Sequence, residues 1–380
     1  MKNIINFILR LKFKFPSQKK IIIFDKYLPQ YLDKKILKKS FCIHYRKIDY
    51  YFNIILLMIF KNIFYKKEKY IETLIKFINP KLILTFIDND TYIWELKKQF
   101  PDIKICIIQN GYRSKHNDIF GILDKKKIKK KYKVDNMFVF NNSIIKKYSK
   151  YFDSKYFVIG SFRSNNKSLM NYKSKSNYIV FVSEFVRPDQ LNKNYDYNTY
   201  YSREKKILPI LEKFCIDNDL ILRILCRNKL EKNFKKEEKK FFDKIFKKTK
   251  NNVEYFYPKS SNHHYEFIDG AKFTVFFTST VGYEALSRGN KIAALCVKNE
   301  VVRYESKNDL YFGWPANLRA KGRFWTNSSK SSEIIRVLNY VNNIDINNWN
   351  REINKINKKD IIVRNEKNTI FYNSLNKLLI

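Results

Sequence analysis

Along the chain, short apolar runs rich in β-branched and aromatic residues alternate with longer stretches of helical period. IIIFD (Ile21–Asp25) and FCIHY (Phe41–Tyr45) read as strands. The very apolar YYFNIILLMIFKNIFY (Tyr50–Tyr65) and a helix over Tyr70–Ile78 follow them. LILTFID (Leu82–Asp88), IKICIIQ (Ile103–Gln109), MFVF (Met137–Phe140) and YFVIG (Tyr156–Gly160) continue the strands, with helices over Thr91–Phe100 and Ser143–Lys150 between them. The polar Ser164–Lys175 is the linker candidate, and the pattern then restarts. YIVFVS (Tyr178–Ser183), LILRILC (Leu220–Cys226), Val253–Tyr257, FTVFF (Phe273–Phe277) and KIAALCV (Lys291–Val297) read as a second set of strands. Helices over Glu204–Asn218, Leu230–Lys250 and near His264–Asp269 separate them, and Ser331–Val341 and Asn368–Leu379 read as terminal helices. This order predicts parallel sheets covered on both faces. The expected division is a Rossmann-like half over 1–165, a second over 166–345 and a helical tail over 346–380. Ligands of such sheets bind beyond the strands' carboxyl ends, so both halves are expected to aim those ends at a central cleft.

The Tyr50–Tyr65 stretch is interrupted by Asn53, Lys61 and Asn62. It is shorter than the roughly 20 apolar residues that span a bilayer, and is predicted to be a buried helix. The N-terminus, MKNIINFILRLKFKF, lacks an uninterrupted apolar core and a small-residue cleavage site, so it does not read as a signal peptide. A basic amphipathic helix lying on a membrane fits it better.

Polar side chains gather where the strands end. Asp88 and Asp90 end one strand, and Gln109, Asn110 and Gly111 end the next, followed by Tyr112, Arg113, His116 and Asp118. Ser161 and Arg163 follow YFVIG, Glu184 and Arg187 follow YIVFVS, and Arg227 follows LILRILC. The most informative turn is FTVFFTSTVGYEALSRG, a strand, a small hydroxylated turn and a helix. Backbone N–H groups at such a helix start, with the positive end of its dipole, suit an anion. Ser279 and Thr280 can cap the helix or donate to a phosphate, and Gly282 would let that phosphate approach the backbone. Tyr283 and Glu284 follow, with Glu284 one turn in, near enough to accept from a sugar hydroxyl. An ordinary capped helix after a strand reads the same way. His263 and His264 suit either a phosphate contact or a helix start, and Asp90 suits an N-cap for the helix beginning at Thr91.

Composition narrows the classes. Apolar residues make up 44% of the 380 and aromatics 17%, as in a globular chain. The net charge of +40 favours anionic partners such as phosphorylated ligands, nucleic acid or lipid headgroups. The abundance of Lys, Asn, Ile, Phe and Tyr is also what an A+T-rich genome writes at neutral surface positions. No nucleic-acid-binding motif accompanies the charge, and the aromatics sit inside apolar runs as core residues do, so nucleic acid is not an expected partner. The five cysteines have no CxxC spacing and three lie in apolar runs, which reads as a reduced, cytoplasmic protein with no metal ligand set.

YFVIGSFRSN, ILPILEKFC, LRILCRN, FIDGAKFTVFFTSTVGYEALSRGNKIA and FGWPANLRAKGRFWTN together resemble a family of bacterial surface-carbohydrate biosynthesis proteins, the transferase-like members of capsule and O-antigen clusters. QNGYR (Gln109–Arg113) resembles the family's glutamine-asparagine/histidine-glycine turn. The resemblance covers roughly Leu82–Asn327. It implies a GT-B-like fold of two Rossmann-like domains, with a nucleotide-activated sugar held by the C-terminal half and no cofactor or metal. Carried onto this chain, Ser279, Thr280 and Gly282, with Tyr283 beside them, would hold the phosphate, and Glu284 the ribose or sugar hydroxyls. Arg227 and Arg187 would offset phosphate charge, with Ser161, Arg163 and His264 nearby. Gln109, Asn110, Gly111 and Arg113 would face the acceptor. A retaining enzyme's paired glutamates are missing, because the first would fall at Phe276. An inverting transferase is therefore expected, with its general base among Asp88, His116 and Asp118. The expected activity is transfer of a sugar to a lipid-linked or glycan acceptor at the anionic inner face of the cytoplasmic membrane. The alternatives are a nucleotide-sugar epimerase of the same fold, or a non-catalytic basic protein that binds membrane or nucleic acid.

Overall fold

The chain is described by a computed structural model over residues 7–45, 47–63, 65–113, 119–169, 176–191, 200–227, 232–246, 252–259, 263–296, 321–356 and 361–379. Two six-stranded, wholly parallel sheets carry the architecture. The first contains β1 (Ile21–Ile23), β2 (Ser40–Cys42), β3 (Leu82–Thr85), β4 (Lys104–Ile108), β5 (Tyr132–Val139) and β6 (Phe152–Val158), in the order β2-β1-β3-β4-β5-β6. The second contains β7 (Tyr178–Val182), β8 (Ile221–Leu225), β9 (Val253–Phe256), β10 (Thr274–Phe276), β11 (Ile292–Leu295) and β12 (Trp325–Thr326), in the order β9-β8-β7-β10-β11-β12. Each sheet reverses its strand order beside its first strand, which opens a crevice at the carboxyl ends there.

The apolar runs explain the layering. Ile22, Ile83 and Ile105 pack on one face of the first sheet, while Ile21, Ile23, Leu82 and Leu84 pack on the other. This is the two-residue alternation of a strand buried on both sides. The second sheet is enclosed the same way around Val180, Phe181, Leu222, Ile224 and Val275. The expected doubly wound, GT-B-like α/β fold is present.

One element departs from the sequence reading. The apolar stretch after Tyr50 forms a helix over Phe52–Phe60 that is not buried: Ile54 and Met58 face the core, but Ile59 and Phe60 are 63% and 82% exposed. Within the expected helical tail, a helix over Ile346–Lys355 sinks Trp349 into the second core. The last helix, Thr369–Leu379, returns to the first sheet, where Phe371 and Leu375 join Ile21, Leu82 and Phe138. Gly160 permits that return. It sits at φ +71°, and a Cβ there would lie 1.8 Å from the Val363 carbonyl oxygen.

Candidate functional site

The turn after β10 places Ser279 as the N-cap of α1 (Thr280–Ser287), with its hydroxyl accepting from the Val281 N–H at 3.4 Å. The Ser279 end of this helix opens on a cleft of about 450 Å³ whose lining comes from both halves. Arg163, Tyr27, Gln30 and Tyr31 contribute from the first half, and Ser183, Arg227, His264 and Ser279 from the second. A neighbouring recess of about 370 Å³ shares Ser183, Arg227 and Ser279, and adds Tyr112, Glu184, Thr278 and Thr280. Two guanidinium groups and a helix N-terminus therefore converge on one space, where Glu184 is the one carboxylate lining it among the described residues. Such a set suits an anion with several oxygens, and a diphosphate is the natural size.

Arg163 is held by Asn110, whose side-chain oxygen accepts from its guanidinium, and its planar group lies 5.6 Å from the Phe86 ring centre. Arg227 donates to the Phe185 carbonyl at 2.9 Å, which fixes its reach. Glu184 accepts from the Thr278 N–H at 2.6 Å and hydroxyl at 2.8 Å. His264 is half-buried, and its imidazole is held down from the ordinary 6.5 to about 3, first by burial and then by the nearby charges of Arg163, Arg288 and His263. It is neutral at physiological pH, so it offers the cleft one N–H donor and one acceptor nitrogen. Between pH 6.5 and 3 the unfolded chain holds a proton here that the folded chain lacks, so stability falls as the pH drops through that window. His264→Gln is expected to remove up to about 1.4 kcal/mol per pH unit of that slope. Urea unfolding of both chains at about pH 5 and about pH 7 checks it, and equal slopes would contradict it.

Other residues named from sequence have different work. Asp88 has no exposed side-chain surface. Arg113 donates Nε to it at 2.9 Å and grips its second oxygen, and the Tyr148 hydroxyl donates at 3.2 Å. This carboxylate anchors the QNGYR turn and has no path to an acceptor hydroxyl, which corrects its assignment as a base. Gln109 is a brace: its amide donates to the Gly111 carbonyl at 3.0 Å and its oxygen accepts from the Phe140 N–H at 2.9 Å. Asp90 is the expected N-cap, accepting from the Tyr92 N–H. Arg187 turns to Asp189 at 3.1 Å and Glu237 at 3.4 Å. Gly282 meets the core: a Cβ there would lie 2.0 Å from the Phe276 ring, and its N–H is bonded to the Ser279 carbonyl. The glycine seats the helix on β10, which corrects its assignment to a phosphate. His116, Asp118 and the FGWP motif lie outside the described residues.

Thr280, Tyr283 and Glu284 build the seam between the halves. The Thr280 hydroxyl accepts from the Tyr112 N–H at 2.8 Å, beside Gly111, and the Tyr112 and Tyr283 rings stack at 4.8 Å. Glu284 is buried; the hydroxyls of Ser161 and Tyr265 donate to its two oxygens, the second at 2.9 Å. Burial pushes its carboxyl up. Both Glu284 oxygens are thus engaged by protein, where a sugar hydroxyl was expected.

Sequence reasoning missed Tyr27, Gln30 and Tyr31, which follow the first strand. Asp25 bends the chain there by accepting from the Leu28 N–H at 2.9 Å. The rule that ligands lie beyond the carboxyl ends of strands, applied to IIIFD as it was to the later strands, points at them.

No curated protein matches this sequence. Solved structures match in fold. UDP-GlcNAc 2-epimerase from Methanocaldococcus jannaschii, solved with UDP-GlcNAc and UDP, superposes with a TM-score of 0.56 at 12% identity, over 94% of this chain and 99% of that one. The S. aureus MnaA–UDP co-structure gives 0.55 at 12% identity, over 95% and 97%. A glycosyltransferase from Rickettsia africae gives 0.46 at 11% identity, over 96% and 99%. At these identities the likeness is one of fold alone. The family model described as "putative O-antigen biosynthesis protein" matches residues 106–379, well over half the chain, and this protein belongs to that family.

Proposed function

We propose that this protein is a glycosyltransferase of surface-polysaccharide assembly that moves a sugar from a nucleotide-activated donor to a lipid-linked or glycan acceptor. One observation carries the reading: an anion-suited cleft lies between two Rossmann-like halves, with Ser279, Arg227, Arg163 and neutral His264 converging on it. The fold neighbours solved with UDP-GlcNAc and UDP support a uridine donor as the first probe.

In this reading the diphosphate lies at the start of α1 and the sugar extends into the recess beside the half-buried Glu184. The acceptor oxygen attacks the anomeric carbon, and the bond from that carbon to the phosphate oxygen breaks with inversion. Arg227, Arg163 and the helix N-terminus stabilise the charge that grows on the departing nucleoside diphosphate. The proton of the acceptor hydroxyl goes to a base, for which His116 and Asp118 are the candidates the sequence offers.

The test is incubation with UDP-GlcNAc labelled in the sugar, with and without membranes from a surface-polysaccharide-producing cell. Label appearing in the lipid or glycan fraction only when membranes are present supports the transferase. Conversion of the free donor without any acceptor supports the epimerase instead and removes the transfer step.

A further inference from the structure

The helix Phe52–Phe60 presents an exposed apolar face. Phe52, Ile59 and Phe60 are 41%, 63% and 82% exposed, although the helix also buries Ile54 and Met58. The N-terminal arm runs beside it, tied by parallel pairing of Leu11–Lys12 with Tyr50–Tyr51. Phe13 lies 5.6 Å from Phe52, and Phe15 lies 6.3 Å from Phe77, measured between ring centres. Nine of the sixteen exposed large apolar side chains among the described residues fall within 7–15 and 52–65, so the exposure is a patch and not scatter. Next to it is a groove of about 370 Å³ lined by Leu57, Phe77, Lys61, Lys69, Lys76 and Glu72. Lys69 pairs with Glu72 at 2.9 Å, while Lys61 and Lys76 have no ion-pair partner among the described residues.

We propose that this patch docks the protein on an anionic phospholipid surface, with the aromatic side chains entering the headgroup layer and Lys61 and Lys76 meeting lipid phosphates. Two points select a bilayer over a protein partner. Lysine is depleted from the cores of protein interfaces, whereas lysine stems beside exposed aromatics suit a headgroup layer. Lys12, Phe13, Lys14 and Phe15 alternate charge and ring along the arm, with Phe13, Lys14 and Phe15 exposed. No helix among the described residues is long and apolar enough to cross a membrane. The surface itself stands apart from the cleft; only its consequence, that the acceptor is the lipid-linked one, rests on the transferase reading.

The experiment is sedimentation of the full chain with vesicles of phosphatidylcholine alone or mixed with phosphatidylglycerol. The mixed vesicles are expected to bind about tenfold or more tightly, with an advantage that fades in salt. Phe13→Ser with Phe60→Ser, which leaves the charge unchanged, is expected to weaken binding to mixed vesicles about tenfold. Lys61→Gln with Lys76→Gln is expected to weaken it, while Lys236→Gln with Lys240→Gln, exposed on the helix Lys232–Ile245 of the second half, stays within about twofold of wild type. Equal binding by the serine variant, equal loss from the two lysine pairs, or no preference for mixed vesicles would overturn the proposal. So would lipid-free self-association that Phe60→Ser abolishes, because a second copy would then cover the patch. Titration with UDP separates this test from the transferase reading. Vesicle binding without UDP binding sinks that reading and leaves the surface, whereas UDP binding without vesicle binding does the reverse.

Discussion

Arg288→Met is expected to lower the unfolding free energy by about 3–5 kcal/mol, the usual cost of removing one partner from a buried ion pair. The Arg288 side chain has no exposed surface and pairs with Asp269, donating Nε to Oδ1 at 2.8 Å and a second nitrogen to the other oxygen. It also donates to the carbonyls of Ser164, Lys167 and Ser168 at 3.0–3.1 Å, so one guanidinium ties the second half to the connection leaving the first. Methionine would fill the space but leave the Asp269 carboxylate buried without this cation. Adding Asp269→Leu is expected to recover only the part of the loss due to the uncompensated carboxylate, because the carbonyls of Ser164, Lys167 and Ser168 still lose their donor and the Asn290 amide loses its acceptor. Denaturant unfolding of both variants measures this. A loss below about 1 kcal/mol for the single change would mean that Arg288 is not the clamp.

Gly282→Val is expected to cost about 3 kcal/mol, at the upper end of ordinary overpacking. The added Cβ would arrive 2.0 Å from the ring of Phe276, the last residue of β10, which is backed by the Tyr283 ring 5.0 Å away between centres. The helix would have to lift from the strand, carrying Ser279 and Thr280 with it. Any loss of ligand affinity then follows from displacement of the turn. Phe276→Leu opens room and is expected to recover part of the stability in the Gly282→Ala background, which a double-mutant cycle reads directly. Full stability of Gly282→Val would show that the contact yields easily.

How far the sequence revealed this arrangement varied with the range of the contact. Strands such as Leu82–Thr85 and Ile221–Leu225 are legible because burial on both faces demands a continuous apolar run. The Ser279 cap is legible because its partner is two residues away. Asp88 was misread because its partner Arg113 comes from the neighbouring strand's loop, 25 residues on. Glu284 likewise depends on Ser161, 123 residues away. The period of Thr369–Leu379 shows that one face is apolar, but not that the first sheet receives it. The same limit applies to Phe52–Phe60, where apolar character alone could not distinguish a core helix from an uncovered one.

Binding of a nucleoside diphosphate at Ser279 and Arg227 is tested most directly by calorimetric titration with UDP. Wild type is expected to bind UDP, Arg227→Ala to bind it about tenfold to a hundredfold more weakly, as loss of a charged hydrogen bond implies, and Arg187→Ala, whose guanidinium faces Glu237, to bind it as wild type does. Undiminished affinity in Arg227→Ala, or no binding of UDP by wild type, would contradict the assignment of the cleft.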